Sequence, residues 1–76
     1  MTVLEVLDYK PINGNTAVIV KGTGDNLKNG IGILDSNGKP YLVISVGMTS
    51  PLDDSAEVRS TPILVEGDFS SKRIFV

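Results

Sequence analysis

Three Asn-Gly dipeptides punctuate this chain: Asn13-Gly14, Asn29-Gly30 and Asn37-Gly38. Each sits beside a run rich in Val, Ile, Leu, Thr or Tyr. Asn-Gly supplies the positive φ that tight hairpins need, and such runs are where strands form. The pattern extends from Thr2 to Val76. Residues 1–76 therefore read as one small antiparallel β domain, with no stretch left for a catalytic insert or a second domain.

The same reading places the strands. The first spans Thr2 to Tyr9, with Val3, Leu7 and Tyr9 alternating with Leu4, Val6 and Asp8. Both faces are partly apolar, as in a strand that curls around a barrel. Pro11 is expected to end pairing because it lacks an N–H. The second strand is Asn15 to Lys21, and Gly22 to Asn26 is a loop by composition. The third is Leu27 to Leu34, where Gly30 and Gly32 alternate with Ile31 and Ile33 and predict a bend or bulge. Asp35 to Pro40 is a turn, and Tyr41 to Val46 the fourth strand. Gly47 to Ser60 reads as a long polar connection with at most one helical turn at Ser55 to Arg59. The fifth strand is Thr61 to Glu66 and the sixth Lys72 to Val76. Six short strands favour closure, because two separate sheets would leave exposed edges and a thin core. The predicted fold is all-β: a small closed six-stranded antiparallel barrel.

Composition narrows the chemistry. A chain of 76 residues buries only about 60% of its unfolded surface, so stability is marginal without a staple. Cys and His are both absent, which rules out disulfides and a Cys/His zinc site. Closure, packing and self-association remain. Apolar residues are 41% and charged residues 21% of the chain, an ordinary globular balance. The net charge is −2 and the pI about 4.8, which lowers the prior for a nucleic-acid binder that needs a basic face. The first ten residues lack the basic and apolar regions of a signal peptide. No apolar run approaches the roughly 18 residues of a membrane helix. A cytoplasmic location is expected.

The order of parts resembles the second domain of translation GTPases of the elongation factor Tu type, a six-stranded β-barrel. The blocks that carry the resemblance are Val3-Leu4-Glu5-Val6-Leu7-Asp8, Asn13-Gly14, Thr16-Ala17-Val18-Ile19-Val20, Leu27-Lys28-Asn29-Gly30, Asn37-Gly38-Lys39, Tyr41 to Met48, and Ile63-Leu64-Val65-Glu66-Gly67. They span nearly the whole chain and are mostly structural positions, so what they imply is a barrel. The GTPase motif Gly-x-x-x-x-Gly-Lys-Ser/Thr is absent, and the "gly-asp" of that family's third strand is Gly30-Ile31 here. The resemblance thus implies a free-standing cousin of the domain without its tRNA-contacting role, since fold does not fix function.

Candidate chemistry is sparse. Asp53-Asp54 with Glu57 is the densest carboxylate group, and hard cations want several oxygens, but the spacing is not that of an EF-hand and a solvated acidic loop is the better reading. Asp35-Ser36-Asn37-Gly38 begins like a calcium loop and lacks the distal Glu, so the hairpin reading prevails. Without His, a nucleophilic Ser would need Lys or a carboxylate as base. Ser71-Lys72 are strand neighbours that point to opposite faces. The expectation is a non-enzyme with no cofactor and no metal.

Lys72-Arg73 beside Phe69 and Phe75 is the one basic and aromatic cluster. Single-stranded nucleic acid favours such a mix, so Lys21, Lys28, Lys72, Arg73 and Phe75 are the candidate nucleic-acid contacts. The plainer alternative makes Phe75 core and tips the two cations into solvent on an edge. The first functional expectation is an interaction module whose partner is another protein, either monomeric or a weak homodimer through the Ile74-Phe75-Val76 edge. An RNA- or ribosome-associated binder is the second. A small-ligand site in the Gly22 to Asn26 loop is the third.

Overall fold

The computed structural model describes residues 2–24, 26–51 and 59–76. They form seven strands: β1 Val3–Ile12, β2 Asn15–Lys21, β3 Gly32–Leu34, β4 Pro40–Val46, β5 Ser50–Pro51, β6 Arg59–Glu66 and β7 Arg73–Phe75. All pairings are antiparallel. The order is β2-β1-β7-β3-β4-β6, and β2 also pairs with β6, so six strands close into a ring. The short β5 adds to β6 outside that ring. The described residues contain no helix, hence none long and apolar enough to cross a membrane.

Asn13 and Gly14 have φ of 48° and 84°, the left-handed pair that a two-residue hairpin requires. They join Ile12 to Asn15 in register. Pro11 does not end β1, contrary to expectation; it lies opposite Thr16. Antiparallel pairs alternate between bonded and non-bonded. The pair closing the hairpin, Ile12–Asn15, is bonded, so at Pro11 an N–H would face away from β2 and its absence breaks nothing. At the second hairpin Gly38, φ 80°, donates its N–H to the Asp35 carbonyl at 3.0 Å.

Two bulges decide which side chains face inward. One falls between Val6 and Asp8 of β1. Before it, Leu4 and Val6 pack on the core; after it, Tyr9 stands opposite the buried Val18 and packs edge-on against Phe69 at 6.5 Å. The two interleaved apolar series of β1 thus belong to the two sides of one extra residue. The other bulge, between Val43 and Ser45 of β4, lets Val43 and Val46 both reach the core.

The core is Val18, Val20, Leu27, Ile33, Val43, Ile63, Val65, Phe69 and Ile74. β3 is shorter than expected because residues 27–31 turn instead. Leu27 N–H donates to the Gly24 carbonyl at 2.8 Å and Ile31 N–H to that of Lys28 at 3.2 Å. Leu27 is spent as a buried plug, and Gly30 sits in this turn at φ 83° rather than on a strand face. The expected connection from Gly47 to Ser60 contains β5 and the start of β6. Asp53, Asp54, Glu57 and most of the possible helical turn lie outside the described residues, while Arg59 is already in β6.

Each end of the barrel is tied by an inward-facing threonine. Thr16 donates its hydroxyl to the Gly67 carbonyl at 2.8 Å and accepts from Phe69 N–H at 3.0 Å. At the other end Thr61 donates to the Gly22 carbonyl at 2.9 Å and shares a 2.9 Å hydroxyl contact with Thr49. Thr49 in turn donates to the Thr23 carbonyl at 2.9 Å.

Candidate functional site

Strand edges offer little to a partner. β7 pairs with β1 on one side and β3 on the other, and Thr2 and Val76 exchange both main-chain hydrogen bonds at 2.9 Å. The edge at Ile74-Phe75-Val76 is occupied within the barrel, so a homodimer through it would have to displace β1 or β3. Ile74 is the core residue of this strand. Phe75 is half-buried and registers with Val3 and Leu34, because alternate residues of a strand face opposite ways.

The five candidate nucleic-acid contacts divide. Arg73 is exposed and lies opposite Glu5 on β1. Lys21, exposed at the end of β2, follows Val20, and Val20 faces Val6. Register thus sets Lys21 and Arg73 on either side of Glu5. Lys72 is exposed, and its carbonyl accepts the Val6 N–H at 2.9 Å. Lys28 is exposed in the connection before β3. Phe69 does not join this group: it is buried, with Tyr9 and Tyr41 edge-on against its ring. The cations are interleaved with Glu5 and Asp8, which line the same concavity as Lys72 and Arg73.

The outer face of β2, β6 and β4 has a different character. An antiparallel sheet with one wet face ordinarily alternates apolar inside with polar outside. Here the runs are continuous: Ala17-Val18-Ile19-Val20, Ile63-Leu64-Val65 and Tyr41-Leu42-Val43-Ile44. The inward members fill the core, and the outward ones stand in solvent, with Ile19 37%, Leu42 42% and Ile44 38% exposed. Ile19 faces Pro62, while Ala17 and Ser45 both face Leu64. Gly47 extends this surface by lying on Pro62: its N–H donates to the Pro62 carbonyl at 2.8 Å, and a Cβ there would meet the proline ring at 2.7 Å. Sequence reasoning did not single out this surface, although the unbroken apolar runs were its signal.

Around the second hairpin, polar groups of distant chain segments converge. Ser71 Oγ accepts the Ser36 N–H at 3.1 Å, lies 2.8 Å from Ser36 Oγ, and donates to the Arg73 carbonyl at 3.0 Å. Asp35, almost fully covered, takes the N–H groups of Lys39 and Asn37 on Oδ1 at 2.9 and 2.8 Å and the Tyr41 hydroxyl on Oδ2 at 3.3 Å. The Lys39 N–H, with help from Asn37, Tyr41 and the Lys39 charge, holds its carboxyl below the ordinary value of 3.8 against the opposing effect of burial. No signal in the sequence joins residue 36 to residue 71. No family model matches the chain, nor does any curated protein or solved structure.

Proposed function

We propose that this domain is a non-enzymatic protein-binding module that docks through the outer face of β2, β6 and β4. One observation carries the reading: Ile19, Leu42 and Ile44 are exposed on strands whose opposite faces already supply the core. Burying such side chains against a partner releases about 25 cal/mol for each Å² of apolar surface. A contiguous apolar patch on a small domain marks an interaction site. The partner surface is apolar and largely uncharged, to match Ala17, Pro62 and Leu64 around these anchors. By the same reading the barrel is a cousin of the second domain of elongation factor Tu-like GTPases, supported by the residue blocks above and by the closed six-strand ring. We place it in the cytoplasm, in keeping with a chain that has no Cys. The RNA-binding alternative through Lys21, Lys28, Lys72, Arg73 and Phe75 is weaker, because Glu5 and Asp8 sit among the cations.

The experiment is a pull-down with Ile19→Glu and Ile44→Glu beside the wild type. Capture should survive nuclease and moderate salt, and both variants should lose it while melting within a few degrees of wild type. Capture that disappears with nuclease, or falls steeply with salt as counterion release requires, would transfer the function to the basic residues.

A further inference from the structure

Strand register arranges the outer face of β1, β2, β6 and β4 in rows. One row runs Lys10, Ala17, Leu64 and Ser45, and the next runs Asp8, Ile19 and Pro62. The flanking rows set Asn15 beside Glu66 at one end and Lys21 beside Ser60 at the other. These side chains point outward because alternate residues of a strand face opposite ways, and Tyr9, Val18, Val20, Ile63 and Val65 face inward. Ala17, Ile19, Pro62 and Leu64 make the centre of the face apolar. Lys10, Asp8, Lys21 and Glu66, all exposed, stand around it, and their charges sum to zero.

This pattern is complementary to itself. A two-fold axis that lies in the face and crosses the strands between the two central rows exchanges those rows. Lys10 of one copy then comes over Asp8 of the other, and Asp8 over Lys10. The same rotation lays the Asn15–Glu66 row over the Lys21–Ser60 row, which brings Glu66 to Lys21 at both ends. On β2 the small Ala17 meets the protruding Ile19, and on β6 Leu64 meets Pro62. Two sheets can also be stacked about an axis along the strands. That arrangement sets β1 against β4 and Lys10 over Ser45, so neither charge of β1 finds a partner. Complementary charges fix orientation and register more than affinity, so the pattern selects the first arrangement while the apolar centre supplies the attraction.

We propose that the partner of this face is a second copy of the same chain, packed through β2 and β6 about the two-fold axis that crosses the strands. The inference rests on the reading of this face as the docking surface and commits that reading to one partner. Such an interface uses the same patch on both copies, so assembly stops at two. Four strands about 4.8 Å apart, with a rise of about 3.3 Å per residue, make the face roughly 20 Å square. That is at the small end of protein interfaces, so the dimer exchanges with monomer.

The test is sedimentation equilibrium of the full chain from about 10 µM to about 1 mM, the range in which small interfaces associate. Wild type should pass from monomer to dimer and go no further, and Ile19→Glu should stay monomeric. Lys10→Glu and Asp8→Lys, each alone, should weaken the dimer about tenfold, because each sets like charges against each other at two symmetric places. An equimolar mixture of those two variants should restore it, since every pair is then opposite again. A mixture of Lys10→Glu with Glu66→Lys has the same net charges and should stay weak. Restoration in both mixtures, or in neither, would overturn the arrangement. A wild type that is monomeric throughout would overturn the dimer; if Ile19→Glu still abolishes capture in the pull-down, the docking face survives and its partner is a different protein. A dimer that Ile19→Glu leaves intact would overturn the proposal by placing self-association on another surface, and the docking face itself falls only if capture also persists in that variant.

Discussion

The two mouths of the barrel are closed by the same polar device and by different fillers. At one mouth Thr16 ties the loop around Gly67, and the Phe69 ring fills the space between Tyr9 and Tyr41. At the other, Thr61 and Thr49 tie Gly22 and Thr23, and the filler is the aliphatic Leu27. One large aromatic side chain removes more surface from water than a leucine and adds edge-to-face contacts. The aromatic mouth therefore needs less from its loops. Its second hairpin and the chain from Phe69 into β7 are held closely enough to keep Ser36 and Ser71 within 2.8 Å. The aliphatic mouth depends more on its hydroxyl–carbonyl bonds, Thr61 to Gly22 and Thr49 to Thr23.

The sharpest way to break this contrast is Phe69→Ala. It should destabilise by about 3–5 kcal/mol, the usual penalty for emptying a buried aromatic site. That is a large share of the roughly 5–15 kcal/mol available to a small domain. A loss of under about 1 kcal/mol by urea unfolding would mean Phe69 is not the closing plug.

Smaller effects should follow from the threonines. Thr16→Val leaves the Phe69 N–H and the Gly67 carbonyl without their partner, and Thr61→Val does so to the Gly22 carbonyl and Thr49. Each should lose about 1–3 kcal/mol, Thr16 the more because a buried N–H is orphaned. Combined with Phe69→Ala, the Thr16 change should fall short of additivity and the Thr61 change should add, since only the first pair shares contacts. Non-additivity in both double mutants would mean that the mouths are not separate units.

The smallest effect depends on pH. Asp35 has a native value below 3.8, so its ionised form contributes stability above the unfolded value, and this is lost as pH falls through the native value. Asp35→Asn should therefore be less stable than wild type at neutral pH, with the gap narrowing below about pH 4. A gap that stays constant from pH 7 to pH 3 would show that the hairpin bonds, and not the charge, carry the contribution.

Local chemistry made part of this legible in advance. Asn13-Gly14 fixed a hairpin because only positive φ closes a two-residue turn, and β2 runs from Asn15 to Lys21 as its alternation predicts. The β1 bulge was not legible, since an extra residue changes which face Leu7 and Tyr9 take without changing any propensity. Leu27 looked like strand and became a plug because tertiary burial outweighs a weak local preference. The basic residues near the C-terminus were visible, but their neighbours Glu5, Ser36 and Asp8 come from far along the chain. The apolar outer face was written in Tyr41 to Ile44 and in Ile63 to Val65, and only the closed ring showed which members were surplus.

The reciprocal bonds between Thr2 and Val76 make the polypeptide enter and leave the domain at one point. A host protein could carry this barrel inside one of its own surface loops without its framework being pried apart, as insertions succeed where the two ends already meet. Joining those ends by a few linker residues and opening the chain at the Asn13-Gly14 hairpin would leave the ring of strands topologically whole.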